Sequence, residues 1–418
     1  MKVDHDTRSR GGMVLDVDFT DRGRGRVLRS CLAITAALWL TLGHAQPEYA
    51  TVVLDNPTPQ ADSFFGLAMS EVGDINGDGI SDFVVGAPYQ MVSSSVGYGR
   101  AFVFSGADQS LLLTLKPVYE SLFFVFGYTV AGTGDVNEDG TPDILVQSYA
   151  RNFFLPGIQV FPNRTYTFSG ADQSELYYPP TWRISGFATP TTVAGVNDVN
   201  GDGKFDLLVG VPDQDVGDND GQGQAFLVSG ANGSFLRTFD VPMPRPGARF
   251  GSAVAGAGDV NGDGIPDLIV GAPGLTVAGN ESQGQSFVFS GADGSLLHTL
   301  DHPMPQAGAR FGSAAAGVGD VDGDGIPDFL VGAPQQDVGG NINQGRAFLM
   351  SGADGTLLRI LDDPTPQAGG GFGWAVAGAN DVNGDSEPDL LVAAPGQNVN
   401  GNSGQGRVFL FLSTRATP

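Results

Sequence analysis

Cysteine is almost missing from this 418-residue chain: the single thiol, Cys31, stands in an apolar run near the N-terminus. Beyond that run there is none, which excludes disulfide staples and thiol nucleophiles there and leaves stabilisation to some other device. Histidine is nearly as scarce. Of the four, His5 and His44 belong to the N-terminal segment, and only His298 and His302 remain. They sit in and just after one strand-like piece, where packing is the ordinary role. No Gly-x-Ser-x-Gly, no His-Glu-x-x-His and no phosphate-cradling glycine loop occurs. The commonest hydrolase, zinc-peptidase and nucleotide-binding chemistries therefore have no residues to run on. Positive charge is short as well: 21 Lys and Arg against 46 Asp and Glu give a formal net charge of −25. Nucleic acid and anionic membrane surfaces are poor partners for such a field.

Long apolar runs are absent apart from Cys31–Leu42, which follows Arg22, Arg24, Arg26 and Arg29 and precedes the small residues Gly43-His44-Ala45. Residues 1–45 read as a secretory signal peptide, too short in its apolar part for a membrane span. The leader before the run is long, which leaves Met13 open as the true start. A lipoprotein reading of Cys31 is weak, because Arg29 stands close before it and the apolar run follows rather than precedes it. The part from 46 to 418 is expected to be exported (periplasmic, released or at the cell surface) with no transmembrane span.

Glycine and aspartate are plentiful, and they recur in a fixed arrangement. Asp259-Val-Asn261-Gly-Asp263-Gly264-Ile-Pro-Asp267 puts oxygen-bearing side chains at positions 1, 3, 5 and 9, with a turn-forming glycine at 6. The carbonyl of position 7, Ile265, is a further candidate ligand. Such a set suits a hard cation with six to eight oxygens, calcium before magnesium or zinc. A single copy is equally well read as a metal-free Gly/Asn/Asp turn.

There are six copies, spaced by 61, 63, 61, 61 and 61 residues. The ligand positions are Asp74, Asn76, Asp78 and Asp82; Asp135, Asn137, Asp139 and Asp143; Asp198, Asn200, Asp202 and Asp206; Asp259, Asn261, Asp263 and Asp267; Asp320, Asp322, Asp324 and Asp328; and Asp381, Asn383, Asp385 and Asp389. A turn alone needs no carboxylate at position 9, so the repetition favours up to six Ca²⁺. The last copy departs from the rest in carrying Ser386 at position 6. An EF-hand would need Glu at position 12, where Val85, Val270 and Val331 stand.

Around each loop lie four strand-like pieces, clearest in the fourth repeat: Ser252–Ala257, Asp267–Ala272, Gln285–Ser290 and Leu296–Asp301. Small residues in the first suit a crowded axis. Four antiparallel strands repeated radially make the blade of a β-propeller. The last repeat stops after its third strand, Gly406–Leu412, and its fourth is found at the other end. Ala50–Asp55 with Asn56-Pro-Thr-Pro-Gln-Ala61 matches Leu357–Asp362 with Asp363-Pro-Thr-Pro-Gln-Ala368. The expected fold is all-β: a six-bladed β-propeller of four-stranded antiparallel blades over 46–418, closed by an N-terminal strand that completes the last blade. Repeat two is irregular, with a loop from Gln147 to Asn163. Repeat three has Thr189-Pro190 where others have Phe-Gly.

Phe65-Gly66, Phe126-Gly127, Phe250-Gly251, Phe311-Gly312 and Phe372-Gly373, each ahead of a metal loop, together with Gly86-Ala-Pro88, Gly271-Ala-Pro273 and Gly332-Ala-Pro334, resemble FG-GAP repeats. Gly210-Val-Pro212 and Ala393-Ala-Pro395 are near misses, and Gln147-Ser-Tyr149 does not match. The resemblance covers residues 47–418 and points to the propeller of integrin α-chains and their bacterial relatives, in which such loops bind calcium. Integrin heads have seven blades, and this chain shows six, which unsettles any integrin-like partner geometry.

In an up-and-down blade, the metal loops and the Ser-Gly-Ala-Asp hairpins must share one face of the ring. The long loops between second and third strands share the other with the Pro-rich blade links. The first face repeats, as a structural role requires, and the second varies, as a binding role requires. Candidate ligand contacts on the variable face are Tyr89, the Arg151–Phe154 loop with Arg151, Phe153 and Phe154, the acidic Asp213–Asp220 loop, and Arg249 and Arg310 in equivalent links. Each is also readable as a solvated or packing residue. The reading is a non-catalytic, calcium-binding adhesion or binding module for an extracellular protein or glycan, expected as a monomer. The alternative is a calcium-dependent extracellular hydrolase or lyase built on a propeller.

Overall fold

The computed structural model describes residues 48–91, 98–117, 124–150, 164–176 and 192–414. The leader, Arg151, Phe153, Phe154 and Thr189-Pro190 lie outside these residues. Among the described residues the regular structure is 24 β-strands in six antiparallel four-stranded blades, with no helix. Blade four runs, from axis to rim, through Ala253–Gly258, Asp267–Ala272, Gln285–Phe289 and Leu296–Asp301. These bounds fall within one residue of those expected from the sequence. The strand Asp267–Ala272 is buried along its whole length, and in the rim strand only Leu300 is fully buried. That is the pattern of a sheet stacked between two neighbours with one free outer edge.

Ring closure takes the predicted form. Glu48–Asp55 pairs antiparallel with Arg407–Thr414, in register from Glu48 opposite Thr414 to Asp55 opposite Arg407. Asp55 Oδ1 accepts from Arg407 Nε at 2.7 Å, as Asp362 does from Arg346 in blade five at 2.6 Å and Asp301 from Gln285 in blade four at 2.6 Å. The N-terminal strand thus makes the same cross-strand contact as a fourth strand supplied in sequence.

The FG and GAP residues form the seams between blades. Phe65, Phe126, Phe250, Phe311 and Phe372 are fully buried, each contributing about 2–3 kcal/mol of transfer free energy. Their backbone N–H groups reach back to the preceding blade: Phe250 N donates to Gln222 O at 2.9 Å and Phe311 N to Gln283 O at 2.8 Å. The GAP glycine faces the next blade's FG glycine so closely that a Cβ on Gly271 would lie 2.0 Å from Gly312 O. At that separation a side chain on residue 271 would collide with backbone, which is why glycine stands there. At the closing seam Ala393 takes this place against Gly66, and Phe65 N donates to Gln405 O across it.

Blade two differs from expectation in one respect. Its second strand, Ile144–Ala150, runs into the first residues of the stretch read as loop, because Gln147 and Ser148 are buried and pair with Thr165 and Arg164.

Candidate functional site

Each Asp-rich loop is held in shape by its own side-chain oxygens. In the fourth copy Asp259 Oδ1 accepts from Asp263 N at 3.0 Å and Oδ2 from Gly264 N at 2.8 Å. Asn261 Oδ1 accepts from Asp263 N at 2.9 Å, and Asp263 Oδ1 from Ile265 N at 2.8 Å. The position-1 to position-6 bond recurs in all six copies at 2.7–2.8 Å. It requires a left-handed residue at position 6, which glycine supplies in five copies at φ +84 to +92°. Ser386 adopts φ +74° in the sixth and makes the same bond at 2.7 Å, so the departure in sequence leaves the loop's path unchanged.

The position-9 aspartates Asp82, Asp143, Asp206, Asp267, Asp328 and Asp389 are fully buried. Oδ2 of Asp267 accepts from Val260 N at 2.8 Å and Asn261 N at 3.3 Å; Oδ1 accepts from Gly291 N in the Ser-Gly-Ala-Asp hairpin at 3.1 Å. The bond to the hairpin recurs at Gly106, Gly170, Gly230 and Gly352. It fastens metal loop to hairpin and places both on one face of the ring. In the last blade, which lacks the hairpin, Ser413 N donates to Asp389 Oδ1 and its Oγ to Asp385. This bracing role is invisible in a ligand-spacing argument.

The donor set fits a hard cation. Carboxylate oxygens of Asp320, Asp322 and Asp328 lie within 4.8 Å of one another. Burial, aided by the Asp322 carboxylate, pushes the Asp328 carboxyl up to about 6, and burial with the Asp385 charge does the same at Asp389. A divalent ion among these oxygens would offset both burial and repulsion. An ionised carboxylate has about four lone-pair sites. The three N–H donors on Asp267 therefore leave one for a metal, and Asp263 and Asn261 stay exposed at the loop surface.

At the axis the innermost strands enclose a channel of about 1130 Å³. Its wall is small and apolar, as in Ala253–Gly258 and Ala314–Gly319. At the mouth on the blade-link face the lining changes to Arg249, Arg310, Trp374, Asp213 and the stacked pair Tyr128–Tyr149, whose ring centroids are 5.1 Å apart. Of the sequence-predicted contacts, Arg249 and Arg310 come together here, with Asp213 beside Arg249 at 3.1 Å. Tyr89 does not line the channel; its ring packs edge-on to Phe64 at 5.5 Å. Trp374 and Tyr128 escaped the sequence reading, though both directly follow an FG pair, as Ser252 and Ser313 do.

Five segments, 71–104, 189–228, 250–289, 311–350 and 372–411, match the FG-GAP repeat family. The stretch of blade two is not among them, in keeping with its Gln147-Ser-Tyr149. The chain is similar to integrin alpha-IIb of Mus musculus (34% identical over 189 residues, 41% of this chain and 18% of that protein). It is similar also to integrin alpha-5 of Xenopus laevis (27% over 274 residues, 61% and 24%) and integrin alpha-3 of Cricetulus griseus (30% over 240 residues, 55% and 21%). It spans about a fifth of the length of these relatives. Phe-Gly and Gly-Ala-Pro seams, metal-type loops at each blade and the similarity to integrin α-chains converge on one identity: the chain is an FG-GAP-repeat, integrin-α-like β-propeller.

Proposed function

We propose that this propeller is an exported, calcium-binding, non-catalytic binding module, with up to six Ca²⁺ held in the loops that begin at Asp74, Asp135, Asp198, Asp259, Asp320 and Asp381. One observation carries the reading: six loops share one hydrogen-bonded frame around oxygen donors, and in the fifth three carboxylates converge within 4.8 Å. The buried position-9 carboxylates supply charge that a turn does not need, and a divalent ion relieves the cost of burying it. Calcium then supplies the stapling that cysteine does not. The leader motif at Cys31–Leu42 supports export, and among the described residues no helix is long and apolar enough to cross a membrane. The variable face holds the ligand, an extracellular protein or glycan, with contacts at Arg249 and Arg310; Tyr89 and the Arg151–Phe154 loop are further contacts of this reading.

Extracellular calcium modules bind at roughly 10⁻⁴ to 10⁻³ M. At ten times Kd each site adds about 1.4 kcal/mol, so six independent sites add about 8 kcal/mol, comparable with the whole stability of an ordinary domain. The melting temperature in millimolar calcium should fall markedly when EDTA is added. An unchanged melting curve would count decisively against the metal reading.

A further inference from the structure

The FG turn does more than seal a seam. Residues on either side of it project at the channel mouth, and there the chain varies. Ser252 N donates to Arg249 O, Ser313 N to Arg310 O and Trp374 N to Gly371 O, so each FG pair closes a tight turn with one residue before it and one after. Arg249 and Arg310 take φ +56 and +58°, backbone that Gly371 occupies at the equivalent place. Two arginines thus stand in strained positions beside one cavity.

Their electrostatic settings differ. Arg249 is paired with Asp213 at 3.1 Å, both side chains about half exposed. The residue equivalent to Asp213 one blade on is Gly274, which lines the same channel and carries no charge to offer Arg310. Among the described residues Arg310 has no ion-pair partner. Across the mouth stand Trp374, 41% exposed, and the stacked Tyr128–Tyr149 pair. Guanidinium groups take carboxylates bidentately, and aromatic faces cover the C–H face of a pyranose ring. The Ser252 and Ser313 hydroxyls, which donate to Arg249 O and Arg310 O at 2.8 Å, keep lone pairs that can accept from sugar hydroxyls. The metal loops lie at the far ends of five- to six-residue strands, roughly 17–20 Å away, about two Debye lengths at physiological salt. Their charge is screened from this mouth.

We propose that the channel mouth on the blade-link face binds a carboxylated saccharide. Arg310 is the principal anion contact, Arg249 the second once it exchanges Asp213 for the ligand, and Trp374 with Tyr128 the ring platforms. The inference rests on the binding-module reading and names its ligand class.

The test uses the full chain in millimolar calcium, titrated by calorimetry with tetragalacturonate, maltotetraose and tetraglutamate. Tetragalacturonate should bind about tenfold or more tighter than maltotetraose. Arg310→Gln should erase that preference without lowering the melting temperature, Trp374→Ala should weaken binding, and Asp213→Asn should strengthen it by freeing Arg249. Equal affinity for the two sugars, or no binding of either, overturns the proposal. So does binding indifferent to Arg310→Gln, which would mean calcium-bridged capture at the acidic loops. Tighter binding of tetraglutamate makes the mouth a site for acidic peptide and overturns the saccharide. A melting scan with EDTA on the same samples separates the two readings. Calcium stabilisation without tetragalacturonate binding sinks this inference alone, and binding without calcium stabilisation sinks the metal reading alone.

Discussion

On the face of the Asp-rich loops the buried position-9 aspartate accepts a backbone N–H in all six blades, from the neighbouring hairpin in five and from Ser413 in the last. On the opposite face the buried residue just past the rim strand is Asn56, Pro117, Val241, His302 or Asp363, depending on the blade. Its partner 34 residues on changes with it. Asn56 Nδ2 donates to Gln90 Oε1 at 2.7 Å, Gln397 Nε2 donates to Asp363 Oδ2 at 2.7 Å, and Val241 and Leu275 share an apolar cluster. In the fourth case His302 Nδ1 accepts from Met304 N at 3.0 Å, while His302 Nε2 and Gln336 Oε1 are buried without hydrogen-bond partners. The contrast has a physical origin. On the first face the acceptor serves backbone N–H groups, which every blade has, so the side chain cannot change. On the second the partners are two side chains, so a pair can change together: three pairs are matched by a hydrogen bond or an apolar contact, and the His302–Gln336 pair leaves a polar atom of each unsatisfied.

The largest effect should come from removing the constant element. Asp267→Ala strands three backbone donors, Gly291, Val260 and Asn261, and should cost about 3 kcal/mol or more in denaturant unfolding. A loss under about 1 kcal/mol would show that the loop finds other acceptors. On the variable face, burial, with a smaller contribution from the Arg346 charge, holds the His302 imidazole down at about 4 against an ordinary 6.5. The folded state therefore resists the proton that the unfolded chain accepts. The His302 contribution is fully present above pH 6.5 and is lost as pH falls towards 4, by at most about 3 kcal/mol. His302→Val, the residue type found at Val241, should remove that slope. Unfolding free energies of both proteins at pH 7 and pH 4.5 would reveal it, and parallel curves would refute the assignment. The smallest effect is expected at Ser386→Gly. Relief of a left-handed non-glycine residue should stabilise the chain by about 0.5–1 kcal/mol, visible as a raised midpoint. No gain would mean that Ser386 is not strained.

Much of the fold was legible in the sequence. The near-constant period of the Asp-x-Asn-x-Asp-Gly loops sets the number of blades, and the match of Ala50–Ala61 to Leu357–Ala368 sets the closure. Blade two was harder to read, because a strand carrying Gln147 and Ser148 in its buried part breaks the apolar pattern by which strands are recognised. The path of the Asp-rich loops was legible residue by residue, since their oxygen-bearing side chains lie within nine positions and their geometry is local.

Sequence alone therefore determined the repeat, the all-β blades, the ring and the oxygen-donor loops, all of which follow from short-range spacing and turn chemistry. Tertiary structure decided the rest. The position-9 aspartate became a brace only because the hairpin 24 residues on folds back against it. Arg249, Arg310, Trp374 and Tyr128 came to line one channel only because ring closure brings residues from four different blades to a common axis. No local pattern encodes that convergence.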